Sequence, residues 1–160
     1  MAYNKQIPGN KNYTFAQVPQ VGVPRSKFNR SSNLKTTFQA GTLTPIFLDE
    51  VLPGDTLSLR MDSIIRSNTP IRPTMDNMYI NTFWFFVPCR LLWDNWERFM
   101  GAQDNPADAI NFLIPTVTGT NVIEGSLWDY MRLPTRIANP LTVSVLPFRA
   151  YNLIYNERIS

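Results

Sequence analysis

Met75-Asp76-Asn77-Met78-Tyr79-Ile80-Asn81-Thr82-Phe83-Trp84-Phe85-Phe86-Val87-Pro88-Cys89-Arg90-Leu91-Leu92-Trp93-Asp94-Asn95-Trp96 decides how this chain is read. The first half has the makings of a strand, with Trp84 and Phe86 on one face and Phe83, Phe85 and Val87 on the other. A strand that is apolar on both faces needs cover on both sides. Pro88 removes a ladder donor and ends pairing. Leu92, Trp96 and Phe99 then recur at i, i+4 and i+7, with Trp93 and Met100 beside them, an apolar stripe at helical period. The expectation is a wall-building element. An aromatic strand over residues 77–88 leads into an aromatic helix over 90–101, closed by Gly101, with Trp84, Phe86, Trp93, Trp96 and Phe99 as packing residues.

Upstream of this stretch, residues 41–52 read as a strand through Leu43, Ile46 and Leu48. Pro53-Gly54-Asp55 is a turn, because Pro presets φ and Gly permits a positive φ. Over residues 56–66, Leu57, Leu59 and Met61 alternate with Ser58, Arg60 and Asp62, the pattern of a half-buried strand. Pro70 and Pro73 make a rigid connection. Downstream, residues 102–125 read as an irregular excursion with Pro106, Pro115, Gly119 and Gly125. A helical turn is expected at 126–132 with Ser126 as N-cap. Pro147 opens a final helix whose face is Phe148, Tyr151, Ile154, Tyr155 and Ile159. That helix is still in stride at Arg158-Ile159-Ser160. The strands are too few to cover the aromatic one, so the chain reads as the N-terminal part of a larger β-protein. The other reading is a small domain covered by an oligomer partner.

The charge is unevenly placed. The first 48 residues hold Lys5, Lys11, Arg25, Lys27, Arg30 and Lys35 and no acid, so all 12 acidic residues follow Leu48. The net charge of +3 therefore hides a basic arm, residues 1–40, on a mildly acidic remainder. Pro, Gly, Asn, Gln and Ser dominate the arm, which cannot bury enough apolar surface to fold alone. Basic side chains there suit a phosphate backbone, since each displaces condensed counterions. The alternatives are a solvated tail or a strap on a neighbouring subunit.

Catalytic chemistry finds few of its residue types. Histidine is absent, which removes the commonest general base and metal ligand. The single Cys89 forbids an internal disulfide and reads as an ordinary half-buried thiol. No GxGxxG, P-loop or CxxC pattern is present, and no cofactor, metal or catalytic residue is assigned. Asp49, Glu50 and Asp55 cluster at a turn. They read as an acidic hairpin or intersubunit contact in preference to a cation site, because Ca²⁺ requires six or more oxygens. Asp94 and Glu97 offset the positive end of a helix more readily than they serve as an acid–base pair. Base stacking on the aromatics is disfavoured, since only Arg90 and Arg98 lie near them. No signal peptide opens the chain and no apolar run approaches about 18 residues. Synthesis in a reducing cytoplasm without membrane association is expected, and the sequons at Asn12 and Asn29 then read as chance matches.

Five spaced motifs, in order, carry a family resemblance. They are Pro24-Arg25-Ser26-Lys27-Phe28-Asn29-Arg30-Ser31 with Lys35-Thr36-Thr37-Phe38; Gly41-Thr42-Leu43-Thr44-Pro45-Ile46 with Asp49-Glu50-Val51-Leu52-Pro53-Gly54-Asp55-Thr56; Met75-Asp76-Asn77-Met78-Tyr79; Phe85-Phe86-Val87-Pro88 with Arg90-Leu91-Leu92-Trp93-Asp94-Asn95-Trp96; and Leu146-Pro147-Phe148-Arg149-Ala150-Tyr151 with Ile154-Tyr155-Asn156-Glu157. From about residue 24 onward the chain resembles the major capsid protein of the Microviridae, the gokushovirus-like branch most closely.

The resemblance implies a mainly β fold with helical insertions, the N-terminal part of a single jelly-roll barrel that is incomplete in this chain. Residues 1–40 would be the basic arm, 41–89 the first jelly-roll strands, and 90–160 the start of a helical and loop insertion. It further implies a virion location and a T=1 icosahedral shell of identical subunits around circular single-stranded DNA. A small basic DNA-packaging protein and a pilot protein would be further partners. A non-shell nucleic-acid-binding module that uses the basic arm is the alternative function.

Overall fold

The computed structural model describes residue 22 and residues 24–109 and 111–158. The chain divides into two units, residues 1–33 and 34–160. In the first unit the described residues carry no regular secondary structure. At Asn29 the side-chain Oδ1 accepts hydrogen bonds from the Ser31 amide (3.2 Å) and hydroxyl (2.6 Å).

The second unit is organised around a two-stranded antiparallel sheet, β1 (Thr116–Gly119) with β2 (Leu141–Ser144). The register pairs Thr116 with Ser144, Val117 with Val143, Thr118 with Thr142, and Gly119 with Leu141. Strand alternation puts Val117, Val143, Gly119 and Leu141 on one face. The other face carries Thr118 and Thr142, whose hydroxyls meet at 2.8 Å. A lone two-stranded ribbon is marginal in water. Here Trp128 lies against the Gly119 face and Phe148 lies against Trp128, ring centroids 5.7 Å apart. Trp128 is only 7% exposed, and its indole N–H donates to the Pro134 carbonyl at 3.1 Å.

Helices flank this core. A 3-10 turn at Cys89–Leu91 precedes α1 (Trp96–Phe99). Helix α2 (Leu127–Tyr130) sits in the loop between the strands, and α3 (Leu146–Arg158) follows β2 almost at once. The loop is closed above the sheet by Asn121 N–H to Ile137 O (2.9 Å) and Arg136 N–H to Val122 O (2.8 Å). Pro147 stands in the first turn of α3, where its missing N–H has no intrahelical partner. Phe148, Tyr151 and Ile154 are half-buried and Tyr155 is exposed, while Ile159 lies outside the described residues. Ser126 stands at the N-cap of α2, but its hydroxyl donates to Ile123 O at 2.8 Å instead of capping the helix.

Several expectations need correction. The expected strands at 41–52, 56–66 and 77–88 form no ladder: among the described residues β1 and β2 make the one sheet. Among the described residues none of those segments has a partner strand. The sheet that does form lies partly inside the supposed irregular excursion at 102–125. The expected helix over 90–101 breaks in two at Asp94-Asn95, residues that compete for backbone hydrogen bonds and disfavour helix interiors. Gly101 does close α1, at φ +100°, and the expected turn at Pro53-Gly54 forms with Gly54 at φ +85° and Asp55 N–H to Leu52 O at 3.1 Å. The regular structure among the described residues is a small antiparallel sheet with few helices, with more residues in helix than in strand.

Candidate assembly surface and basic arm

Every residue from 50 to 86 is exposed. Within that span the aromatic strand segment stands open, with Phe83 at 62%, Trp84 at 48%, Phe85 at 41% and Phe86 at 78% exposure. The Phe83 and Phe85 rings lie 6.2 Å apart, as residues on one face of an extended chain do. On the other face Trp84 meets only Phe47, edge on, at 6.0 Å. Ile64, Ile71, Met75, Met78, Tyr79 and Ile80 continue the exposed apolar series. Large apolar side chains exposed in this number favour burial against a partner.

The other sequence-chosen packing residues divide between shelter and exposure. Trp93 and Trp96 are half-buried, and both rings approach Phe99, at 5.6 and 5.9 Å. Phe99 itself is exposed. Trp84 and Phe86 do not join this group, so the five residues form no single core. Leu92 and Trp128 are the buried hydrophobic residues among those described; Leu92 opened the expected apolar stripe, whereas the sequence reading did not single out Trp128.

Arg25, Lys27, Arg30 and Lys35 are exposed, and Lys5 and Lys11 lie outside the described residues. Arg25, Lys27 and Arg30 belong to the first unit, whereas Lys35 belongs to the second. The acids at the turn do not converge on a point. Asp49 Oδ1 accepts from the Glu50 amide at 2.9 Å, and Asp55 Oδ2 accepts from the Leu52 amide at 3.2 Å. Asp49 and Asp55 thus each take a nearby backbone amide. Among the described residues no group of three or more Cys, Asp or Glu side chains could hold a metal ion.

A set of side-chain contacts that no spacing rule reveals holds the segment before the turn. Tyr130 Oη donates to Thr37 O (2.9 Å), Tyr151 Oη to Leu43 O (2.9 Å) and Arg132 Nη2 to Ile46 O (2.8 Å). Arg149 Nη1 likewise donates to Leu92 O at 2.9 Å, tying α3 to the turn after Cys89. The donors and acceptors are far apart in sequence, so no local pattern links them. Burial, and then the neighbouring Tyr155 hydroxyl, push the Tyr151 phenol above its ordinary value of 10.0. The two rings stack at 6.3 Å.

Comparison with known proteins identifies the family. Residues 16–158 match the family described as capsid protein (F protein). The chain is 52% identical over 147 residues to capsid protein VP1 of Bdellovibrio phage phiMH2K, covering 91% of this chain and 27% of that protein. It is 45% identical to capsid protein VP1 of Chlamydia phage 1, covering 98% of this chain and 28% of the relative. With capsid protein VP1 of Spiroplasma virus 4 the identity is 32%, over 84% of this chain and 25% of the relative. The chain thus spans about a quarter of the length of these relatives. A match over nearly the whole chain, with relatives that share a third to a half of its residues, places it in one family: it belongs to the capsid protein (F protein) family of the Microviridae.

Proposed function

We propose that the chain is part of a major capsid subunit, a structural and non-enzymatic component of the virion that assembles with copies of itself into a closed shell. The observation that carries this reading is the run of exposed residues from 50 to 86, with aromatics on both faces, in a chain of the capsid family. In water such a surface is unfavourable by roughly 25 cal/mol per Å² of apolar area. Burial between neighbouring strands removes that penalty. We further propose that residues 41–89 supply strands of a single jelly roll in a T=1 shell, with Trp84 and Phe86 buried once partner strands are in place. The arm, residues 1–40, would then face single-stranded DNA, a small basic packaging protein and a pilot protein would be its virion neighbours, and synthesis would occur in the host cytoplasm.

Lys5, Lys11, Arg25, Lys27, Arg30 and Lys35 have no acid in their own segment, so phosphate is a suitable counter-charge. Contact by three or four of them predicts a fall of log K against log salt with a slope of roughly −2 to −3 for single-stranded DNA. Substituting all six with Gln should flatten that slope and leave assembly intact. If instead the arm pairs with Asp49, Glu50 or Asp55 of a neighbouring subunit, the same variant would keep its slope and weaken DNA-free assemblies. Electron microscopy of the purified chain separates a shell component from a nucleic-acid-binding module. Shells or shell-like arcs support the capsid reading, and dispersed monomers with a steep salt-dependent DNA affinity support the module.

A further inference from the structure

Helices α1 and α2 stop in the same way on different residues. In α1 the Gly101 amide donates to Arg98 O and the Ala102 amide to Glu97 O, both at 3.0 Å. In α2 the Arg132 amide donates to Asp129 O at 2.8 Å and the Leu133 amide to Trp128 O at 3.2 Å. This pair of bonds places the residue after the C-cap in the left-handed region, which glycine fills without strain. Gly101 occupies the position in α1 at φ +100°, and Arg132 occupies it in α2 at φ +64°. An L-residue is disfavoured there. The guanidinium that comes with this unfavourable choice ends on the carbonyl of Ile46 at 2.8 Å.

Two more donors work beside it. Tyr130 holds Thr37 O and Tyr151 holds Leu43 O, so three side chains grip positions 37, 43 and 46 of one irregular segment, which turns at Ala40-Gly41. That segment has no ladder partner. Every acceptor is a main-chain carbonyl, so the grip reads the backbone and not the side chains.

We propose that Tyr130, Arg132 and Tyr151 form a clamp that straps residues 37–46 onto α2 and α3, with Arg132 as its charged lock. The clamp is a conformational device: closed, it fixes the point from which the basic arm leaves; open, it frees the strap together with the arm. This inference stands apart from the capsid reading, since it rests on the hydrogen bonds alone.

The chain offers its own probe. Its four lysines, Lys5, Lys11, Lys27 and Lys35, all precede Thr37. A lysine-specific endoprotease therefore cuts the full chain nowhere else. Cleavage after Lys35 requires release of the backbone next to Thr37, and Lys27, outside the strap, supplies the reference rate. Arg132→Gly should raise the Lys35-to-Lys27 rate ratio about five- to tenfold, the range set by losing a charged donor. The melting temperature should hold or rise, since glycine suits the left-handed position. Tyr130→Phe and Tyr151→Phe, each removing one hydroxyl, should raise the ratio about two- to fivefold. A ratio that stays at the wild-type value in both tyrosine variants overturns the proposal, even if Arg132→Gly proves insoluble. So does a rise in Arg132→Gly that comes only with a lower melting temperature, because the whole unit would then have loosened.

Discussion

Gly119 has no room for a side chain. A Cβ built there would lie 2.8 Å from Cη2, 2.9 Å from Cζ3 and 3.0 Å from Cζ2 of Trp128. The indole is held on its far side by Phe148 and at its N–H by Pro134, so it has little freedom to withdraw. Gly119→Ala should therefore cost about 1–3 kcal/mol, the range for overpacking a filled site, read as a lower melting temperature. Trp128→Phe, which shortens the ring, should relieve much of that cost in the double variant. Strict additivity of the two substitutions would show that the contact is not the cause. Gly119 was legible in the sequence only as a loop breaker, because its reason for being glycine is a tryptophan that approaches through the fold.

Tyr151 carries a pH dependence whose sign follows from its surroundings. Burial and Tyr155 raise its folded-state pKa above the unfolded value, so the fold favours the neutral phenol that donates to Leu43 O. That contribution is fully present below the unfolded pKa and is lost as pH rises through the folded one. Wild-type melting temperature should decline more steeply as pH rises above about 10 than that of Tyr151→Phe, which has no proton to lose. Parallel declines in the two proteins would remove Tyr151 from the alkaline transition.

At the scale of elements, local chemistry was read more reliably than pairing. Gly101 as the stop of α1, the Pro53-Gly54 turn and the proline-opened α3 all follow from φ preferences or a missing N–H, which act within a few residues. Strand partners are set by chain that lies elsewhere. Residues 56–66 alternate as a strand should yet find no ladder, whereas Thr116-Val117-Thr118 pairs with Thr142-Val143 across a long loop. Those β-branched runs were the available signal, masked by Pro115 and Gly119 at the ends of β1. The aromatic helix shows the same limit: its stripe fits the helical period, but Asp94-Asn95 breaks the backbone beneath it. One ordering of stabilities follows. Trp128→Ala should cost about 3–5 kcal/mol, as for a buried large side chain. Trp96→Ala should cost distinctly less, because its ring is half-buried. Thermal or denaturant unfolding of the two variants checks the order, and equal losses would place Trp96 in the same core as Trp128.

For the whole molecule, the central physical fact is a division between a small packed region and a long uncovered one. The packed region, around β1, β2, α2 and α3, lies in residues 116–158, while the expected β region at 50–86 stands open. Its amphipathic and aromatic patterns were legible in the sequence, and so was the family, because both are written in residue order. Its cover was not, since among the described residues no other stretch supplies the strands that two-sided aromatics demand. Sedimentation velocity tests the claim that this surface is built for association. The wild-type chain should sediment as concentration-dependent assemblies, and the triple substitution of Phe83, Phe85 and Phe86 by Ser should shift it toward the monomer, since these are exposed aromatic rings on both faces of the segment. A wild-type chain that remains monomeric at every concentration reached would contradict the assembly role of residues 50–86.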